Sequence, residues 1–332
     1  MQPSFGSFLE RRDFLRVLAG GAIAAGTPCL GRAQPPALPA STSYVYKTVG
    51  ECQIKADVYP AAAAGGRQPA VVFIHGGALI MGSRKWPDRR FLGELASRGL
   101  ATVSIDYRLA PETKLPGIIQ DVQDAWRWVR REGPKSLGID PERIAVAGGS
   151  AGGYLTLMCG FCLEPRPRAL VSYFGYGDII TPWYSQPDAF YRRQPLVPKE
   201  DAYRAVGQRP LSEPPAQNQR GRFYLYCRQN GIWPNEVTGH DPHREPKWFD
   251  PYRPIANVTA KYPATFLIHG TADTDVPYAE SKNMAARLAQ CSVEHELVTV
   301  SGAGHGLSGT KAEEVLRIAQ RAADFIKAHT GP

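Results

Sequence analysis

The stretch Ile144–Gly153, reading Ile-Ala-Val-Ala-Gly-Gly-Ser-Ala-Gly-Gly, constrains the fold of this chain more than any other. Its first four residues form an apolar run that predicts a buried strand. Gly148 to Gly152 then spell Gly-x-Ser-x-Gly, and Tyr154 to Met158 read as the opening of a helix. Strand, tight turn and helix in that order form the setting in which this pattern carries chemistry. A serine at the apex of such a turn sits in a strained backbone. Gly148 and Gly152 have no Cβ, so strand and helix can approach closely. The Ser150 hydroxyl is then held clear of the sheet. The N–H of Ala151, at the helix N-terminus, faces the place where negative charge would develop. A Gly-rich turn with an ordinary serine would read the same way, so the rest of the chain has to decide.

Strands and helices alternate through that rest. Tyr44–Val49 and Gln53–Tyr59 alternate like an antiparallel pair. Ala70–Ile74, Ala101–Ile105, Ala169–Tyr173 and Ala264–Ile268 are apolar runs, and Glu294–Val300 is a further strand. Asp88–Arg98, Ile118–Arg131, Tyr278–Gln290 and Lys311–Ala328 read as helices. In the second of these, Ile118, Val122, Ala125, Trp126 and Val129 fall at helical spacing. Apolar strands between helices predict an α/β fold, with a mainly parallel central sheet covered by helices on both faces. Such folds place their sites at the carboxyl ends of the strands, where all the suggestive stretches fall. Residues 175–262 break the pattern. They are rich in Pro, aromatic and Arg residues, weakly periodic, and too long for a connection inside a compact domain. They read as a cap inserted over the active edge, with helices near Lys199–Val206 and Gly221–Gln229.

The N-terminus reads as an address rather than as fold. Glu10-Arg11-Arg12-Asp13-Phe14-Leu15-Arg16 resembles a twin-arginine export signal, an Ala- and Gly-rich apolar stretch follows, and Gly31-Arg32-Ala33 offers small residues for cleavage. Residues 1–33 are therefore expected to be a signal peptide that engages the twin-arginine machinery. Residues 34–332 would be the mature domain, in the periplasm or secreted. The chain carries a formal charge of +8, and cleavage would leave +6. No dense Lys/Arg run accompanies that charge, so no nucleic-acid partner is expected. No run of about eighteen apolar residues occurs, so no membrane span is expected either. Five cysteines would remain after cleavage, an odd number. Cys159 and Cys162 have redox spacing but fall on the helix after the serine, away from a helix N-terminus, and read as small hydrophobes.

A serine hydroxyl is a poor nucleophile until a base takes its proton. The base is normally a histidine oriented by a buried carboxylate. After Ser150 the chain offers His269-Gly270-Thr271-Ala272-Asp273-Thr274-Asp275-Val276-Pro277 and then Gly302-Ala303-Gly304-His305-Gly306, each following a strand. Of the seven histidines, His305 alone lies in a Gly-rich loop after the last strand. His75 and His269 each end a strand before a glycine, where an imidazole can prop a loop. His240 and His243 fall in the cap at a spacing that hints at metal, with no third ligand nearby. Ser150, Asp273 and His305 thus stand in the order of one known triad arrangement, with Asp275 the rival to Asp273. His75-Gly76-Gly77-Ala78 follows another strand. The N–H groups of Gly76 and Gly77, with that of Ala151, are the candidate oxyanion donors, and Ala78 is a further candidate.

With these residues in hand, the sequence resembles the α/β-hydrolase superfamily, in the esterase branch of hormone-sensitive-lipase-like carboxylesterases. His75-Gly76-Gly77-Ala78, Asp106-Tyr107-Arg108-Leu109-Ala110-Pro111 and Gly148-Gly149-Ser150-Ala151-Gly152 carry the likeness. It departs at Ala78, where Gly is common, and at Gly149, where that group usually has Asp. The stretch around Asp273 looks more like that of prolyl-oligopeptidase-related enzymes and of bacterial feruloyl or acetylxylan esterases. Tyr107, Arg108 and Pro111 look like loop-bracing residues. The resemblance implies a serine carboxylesterase that needs no cofactor and no metal. Cap aromatics such as Trp183, Tyr184, Tyr191, Tyr224 and Trp233 can stack on sugars or line an acyl pocket, and can equally be the cap's own core. Together with export, they point to small acyl esters, acetyl or feruloyl esters of carbohydrates among them. Two other readings stand beside this one: a prolyl-oligopeptidase-like serine peptidase, and a catalytically silent hydrolase fold used for binding.

Overall fold

The computed structural model describes residues 40–61, 66–214 and 220–331. The export signal read over residues 1–33 lies outside them.

Eight strands form one sheet: β1 (Thr42–Val49), β2 (Cys52–Tyr59), β3 (Gln68–Ile74), β4 (Ala101–Ile105), β5 (Ile139–Gly149), β6 (Ala169–Tyr173), β7 (Ala264–Gly270) and β8 (His295–Val300). Their spatial order is β1-β2-β4-β3-β5-β6-β7-β8. β1 pairs antiparallel with β2, and β2 with β4; all other neighbours are parallel. The central strands are largely apolar where both faces are covered. In β3, Ala70, Val72 and Ile74 enter one core while Val71 and Phe73 enter the other. In β5, Ile144 and Val146 face the first core, and Ala145 and Ala147 the second. That alternation is the two-residue period of a pleated strand.

Helices Arg89–Ser97 and Ala312–Thr330 seal the second core with Phe91, Leu95, Ile318, Ala322 and Ile326. Helices Leu115–Glu132, Ala151–Cys162 and Tyr278–Gln290 contribute to the first. Leu115–Glu132 opens three residues before the apolar stripe first suggests, because Pro116 in its first turn favours the helical start.

The cap departs from the chain between β6 and β7. Its described part holds helices Pro182–Ser185, Lys199–Tyr203, Arg220–Asn230, Trp233–Thr238 and Pro254–Asn257, with 3-10 stretches at Tyr191–Arg193 and Pro246–Tyr252. Rings form its interior. Tyr184 stacks on Trp233 with centroids 3.9 Å apart, and Trp183 stacks on Tyr184 at 3.6 Å. Buried polar contacts tie the cap to the sheet region. Arg220, 1 % exposed, pairs with Glu112 at 2.8 Å. The indole N–H of Trp233 donates to the carbonyl of Ala78 at 3.0 Å. No described helix is long and apolar enough to cross a membrane. The cysteines among the described residues, Cys52, Cys159, Cys162, Cys227 and Cys291, are all free thiols.

Candidate active site

Ser150 is the hinge between β5 and helix Ala151–Cys162, and its backbone has φ 56° and ψ −122°. A non-glycine residue in that region is strained, and surrounding structure must hold it there. Neighbouring glycines let it do so. A Cβ on Gly152 would lie 2.0 Å from the carbonyl oxygen of Ile74, and one on Gly148 would lie 2.4 Å from that of Gly152. The amide of Ser150 donates to Tyr173 O at 2.9 Å, which fixes the turn against β6.

Ser150 Oγ lies 3.1 Å from His305 Nε2. His305 Nδ1 lies 2.8 Å from Asp273 Oδ2. The three side chains come from three loops at the carboxyl ends of β5, β7 and β8, and Ser150 and His305 are both buried. The side chain of Asp273 is wholly enclosed. Its Oδ1 accepts the amides of Asp275 and Val276, each at 2.9 Å, and its Oδ2 also lies 3.2 Å from His269 Nε2. Burial alone would raise this carboxyl. The contacts to His269 and His305 outweigh it and hold Asp273 well below the usual carboxylate range. An ionised acid on Nδ1 fixes the tautomer in which Nε2 offers its lone pair to the serine proton. Burial likewise depresses His305, but the charge of Asp275, then the bond to and charge of Asp273, raise it above the ordinary histidine value.

The loop after β3 runs beside this line. A Cβ on Gly76 would meet the Gly149 carbonyl at 2.8 Å and Ser150 Cβ at 3.3 Å, so its backbone lies directly against the serine. Gly77 has φ 107°, followed by Ala78 and Leu79 at 55° and 61°. The loop is braced from below: Tyr107 Oη donates to His75 O at 3.0 Å, and the Tyr107 and His75 rings stack at 4.2 Å. Arg108 pairs with Asp121 at 2.7 Å, a bracing role like that of Tyr107. Ala151 opens the helix, so its N–H belongs to the first turn, whose donors have no partner within the helix.

The two cap histidines singled out in the sequence stand apart from this line. His240 Nδ1 lies 3.0 Å from Glu245, and His243 Nε2 lies 3.0 Å from Ser185 O. Among the described residues, no group of three or more His, Cys, Asp or Glu gathers for a metal ion. His269 props its loop through Val276 O at 3.0 Å and also braces the acid. Two features escaped the sequence. Phe174, at φ 39°, sets its ring edge-on to His305 with centroids 5.0 Å apart. Arg228, on helix Arg220–Asn230, reaches Asp275 Oδ1 at 2.8 Å. A lone arginine in a cap with many arginines carries no sequence signal.

Comparison with known proteins bears on the fold and the family. A sequence profile of a family described as the alpha/beta hydrolase fold matches residues 71–308. Esterase LipC of Mycobacterium tuberculosis is 30% identical over 242 residues, which are 72% of this chain and 53% of that protein. Non-reducing polyketide synthase Preu6 of Preussia isomera is 27% identical over 297 residues, 78% of this chain and 13% of the synthase. The chain thus spans about half the esterase and about an eighth of the synthase. Among solved structures, a Staphylococcus aureus protein of unknown function superposes with a TM-score of 0.72 at 20% identity, covering 87% of this chain and 100% of that one. Esterase 2 of Thermogutta terrifontis gives 0.63 at 23%, covering 90% and 98%. A truncated carbohydrate esterase from gut microbiota gives 0.65 at 22%, covering 89% and 99%. At these identities the structural likeness is one of fold.

Proposed function

This chain belongs to the α/β-hydrolase-fold family, and from that premise we propose that it is a serine carboxylic-ester hydrolase. One observation carries the reading: a continuous line of contacts from Ser150 Oγ, through both nitrogens of His305, to Asp273. In the reaction, Ser150 Oγ attacks the ester carbonyl while His305 Nε2 takes its proton. Asp273 holds the imidazole and stabilises its charged form. The N–H groups of Gly76, Gly77 and Ala151 receive the developing oxyanion, each worth on the order of 3 kcal/mol in the transition state. His305 then protonates the departing alcohol, and a water activated by the same nitrogen releases the acid. The similarity to an esterase at the sequence level supports the reaction class.

For the substrate we propose small acyl esters, acetyl or feruloyl esters of carbohydrates included. Sequence similarity to an esterase supports the acyl-ester class, and the carbohydrate part rests on the aromatic composition of the cap and the expected export. The proposal also keeps residues 1–33 as a twin-arginine signal ahead of a hydrolase domain capped by residues 175–262, with a periplasmic or secreted product. Replacing Arg11 and Arg12 together by Lys should leave the protein in the cytoplasm on cell fractionation; unchanged export would remove that part.

The reaction is tested by turnover of p-nitrophenyl acetate, a longer acyl ester, an acetylated xylo-oligosaccharide and a proline anilide, each beside Ser150→Ala. Ester turnover lost in the variant is the expected result. Cleavage of the anilide alone would move the protein to the peptidases. Equal rates on the acetylated sugar and the plain acetate would remove the carbohydrate preference.

A further inference from the structure

Asp275 is passed over as the acid of the triad, yet its carboxylate sits beside the reacting atoms. Its Oδ2 lies 3.4 Å from His305 Nε2, the same nitrogen that lies 3.1 Å from Ser150 Oγ. His305 therefore has a carboxylate at each ring nitrogen, Asp273 at Nδ1 and Asp275 at Nε2. The other oxygen of Asp275 belongs to the cap. Oδ1 accepts hydrogen bonds from the hydroxyls of Tyr191, at 2.7 Å, and Tyr224, and from Arg228 Nη1 at 2.8 Å. Arg228 is 1 % exposed, ringed by Trp183, Tyr184, Tyr191 and Tyr224, and bound on its second arm to Asp188 at 2.7 Å.

While His305 is neutral, Nε2 presents a lone pair to the serine O–H, and the Asp275 oxygen facing it receives no proton. Once Nε2 is protonated, the same oxygen faces a cation. The contact is unfavourable in the resting base and favourable in the imidazolium, so it acts on the difference between them.

We propose that Asp275 is a positioning residue for acyl transfer: a cap-held carboxylate that steadies the His305 imidazolium from the side opposite Asp273, with Arg228, Tyr191 and Tyr224 setting how much of its charge reaches the ring. This rests on the serine-hydrolase reading. In the step concerned, the Ser150 O–H bond breaks, Oγ bonds to the acyl carbon, and the proton passes to Nε2. On collapse of the intermediate, that proton leaves Nε2 for the alcohol oxygen. Asp275 gains no proton and forms no bond. The groups that face His305 from every side agree with the assignment. Asp275 and Asp273 raise its pKa, Arg228 lowers it, and Phe174 adds an uncharged ring edge.

The test is the pH dependence of kcat and kcat/KM for p-nitrophenyl acetate, using the full chain and the variants Asp275→Asn, Tyr224→Phe and Ser150→Ala. Asp275→Asn should move the acid limb of kcat/KM down by on the order of 1 pH unit, and lower plateau kcat roughly tenfold with KM little changed. Tyr224→Phe withdraws a donor from the carboxylate, so it should move the limb the other way by a smaller amount. An acid limb unmoved in both variants, with Ser150→Ala inactive, overturns the role of Asp275 and leaves the hydrolase reading standing. Full activity in Ser150→Ala overturns both. If Asp275→Asn fails to fold, Tyr224→Phe, which keeps the ring, decides alone.

Discussion

At the sheet edge, backbone atoms set position. Ser150 is held in its strained turn because Gly148 and Gly152 leave no room for a methyl group, and Gly76 lies against the serine for the same reason. In the cap, side chains set position: a buried guanidinium clasped by two acids and four rings. The first arrangement fails when an atom is added, the second when a charge is removed. The two meet at Asp275, whose backbone N–H donates to Asp273 and whose side chain serves the cap. The rigid edge suits a reaction whose geometry must be fixed to a fraction of an ångström. The side-chain cap reaches His305 through the carboxylate of Asp275.

The largest test of this contrast separates the two acids. Asp273→Asn should keep the fold and lower kcat by about 10⁴, since the imidazole would then favour the wrong tautomer. A loss no larger than that of Asp275→Asn would erase the distinction between edge and cap. Next, Arg228→Met leaves the half-buried carboxylates of Asp275 and Asp188 without their cation and should cost about 2–3 kcal/mol of stability, read by denaturant unfolding. The seam between the regions gives a pH effect. Burial raises the Glu280 carboxyl to about 7, with the Asp178 charge adding to it. Folded protein keeps that proton between about 4.3, the unfolded value, and 7, whereas unfolded chain does not. Stability should therefore fall as pH rises through this window, by on the order of 2–4 kcal/mol. Glu280→Gln should flatten the dependence, and a wild-type melting temperature that is level from pH 5 to 8 would refute it. Smallest is Gly152→Ala, whose methyl would press on Ile74 O; about 1–3 kcal/mol is expected, with activity lost faster than stability. A fully active, fully stable variant would show that the edge is not sterically fixed.

How much of this was legible in the sequence follows from the same contrast. The turn at Ser150, the strands with their two-residue period and the loops carrying Asp273 and His305 are local patterns, and the fold places them where those patterns predict. β5 starts at Ile139, before its apolar run; Asp140, Glu142 and Arg143 interrupt the apolar pattern there, and the pairing with β3 shifts register. Cap helices such as Trp233–Thr238 are too short to show a helical period. The Arg228–Asp275 pair joins residues 47 positions apart and is settled only by tertiary packing. Tyr191 and Tyr224 are visible as cap aromatics, but their hydroxyls meeting at one carboxylate is not.

The central claim is that Ser150 is a nucleophile primed by His305. The most direct measurement is labelling of the intact protein with a serine-directed phosphonate, followed by mass spectrometry of the peptide that spans Ile144–Gly153. A single adduct on Ser150, abolished in His305→Ala, is the predicted result. Folded wild-type protein that takes no adduct, or takes it on another serine, would contradict the account.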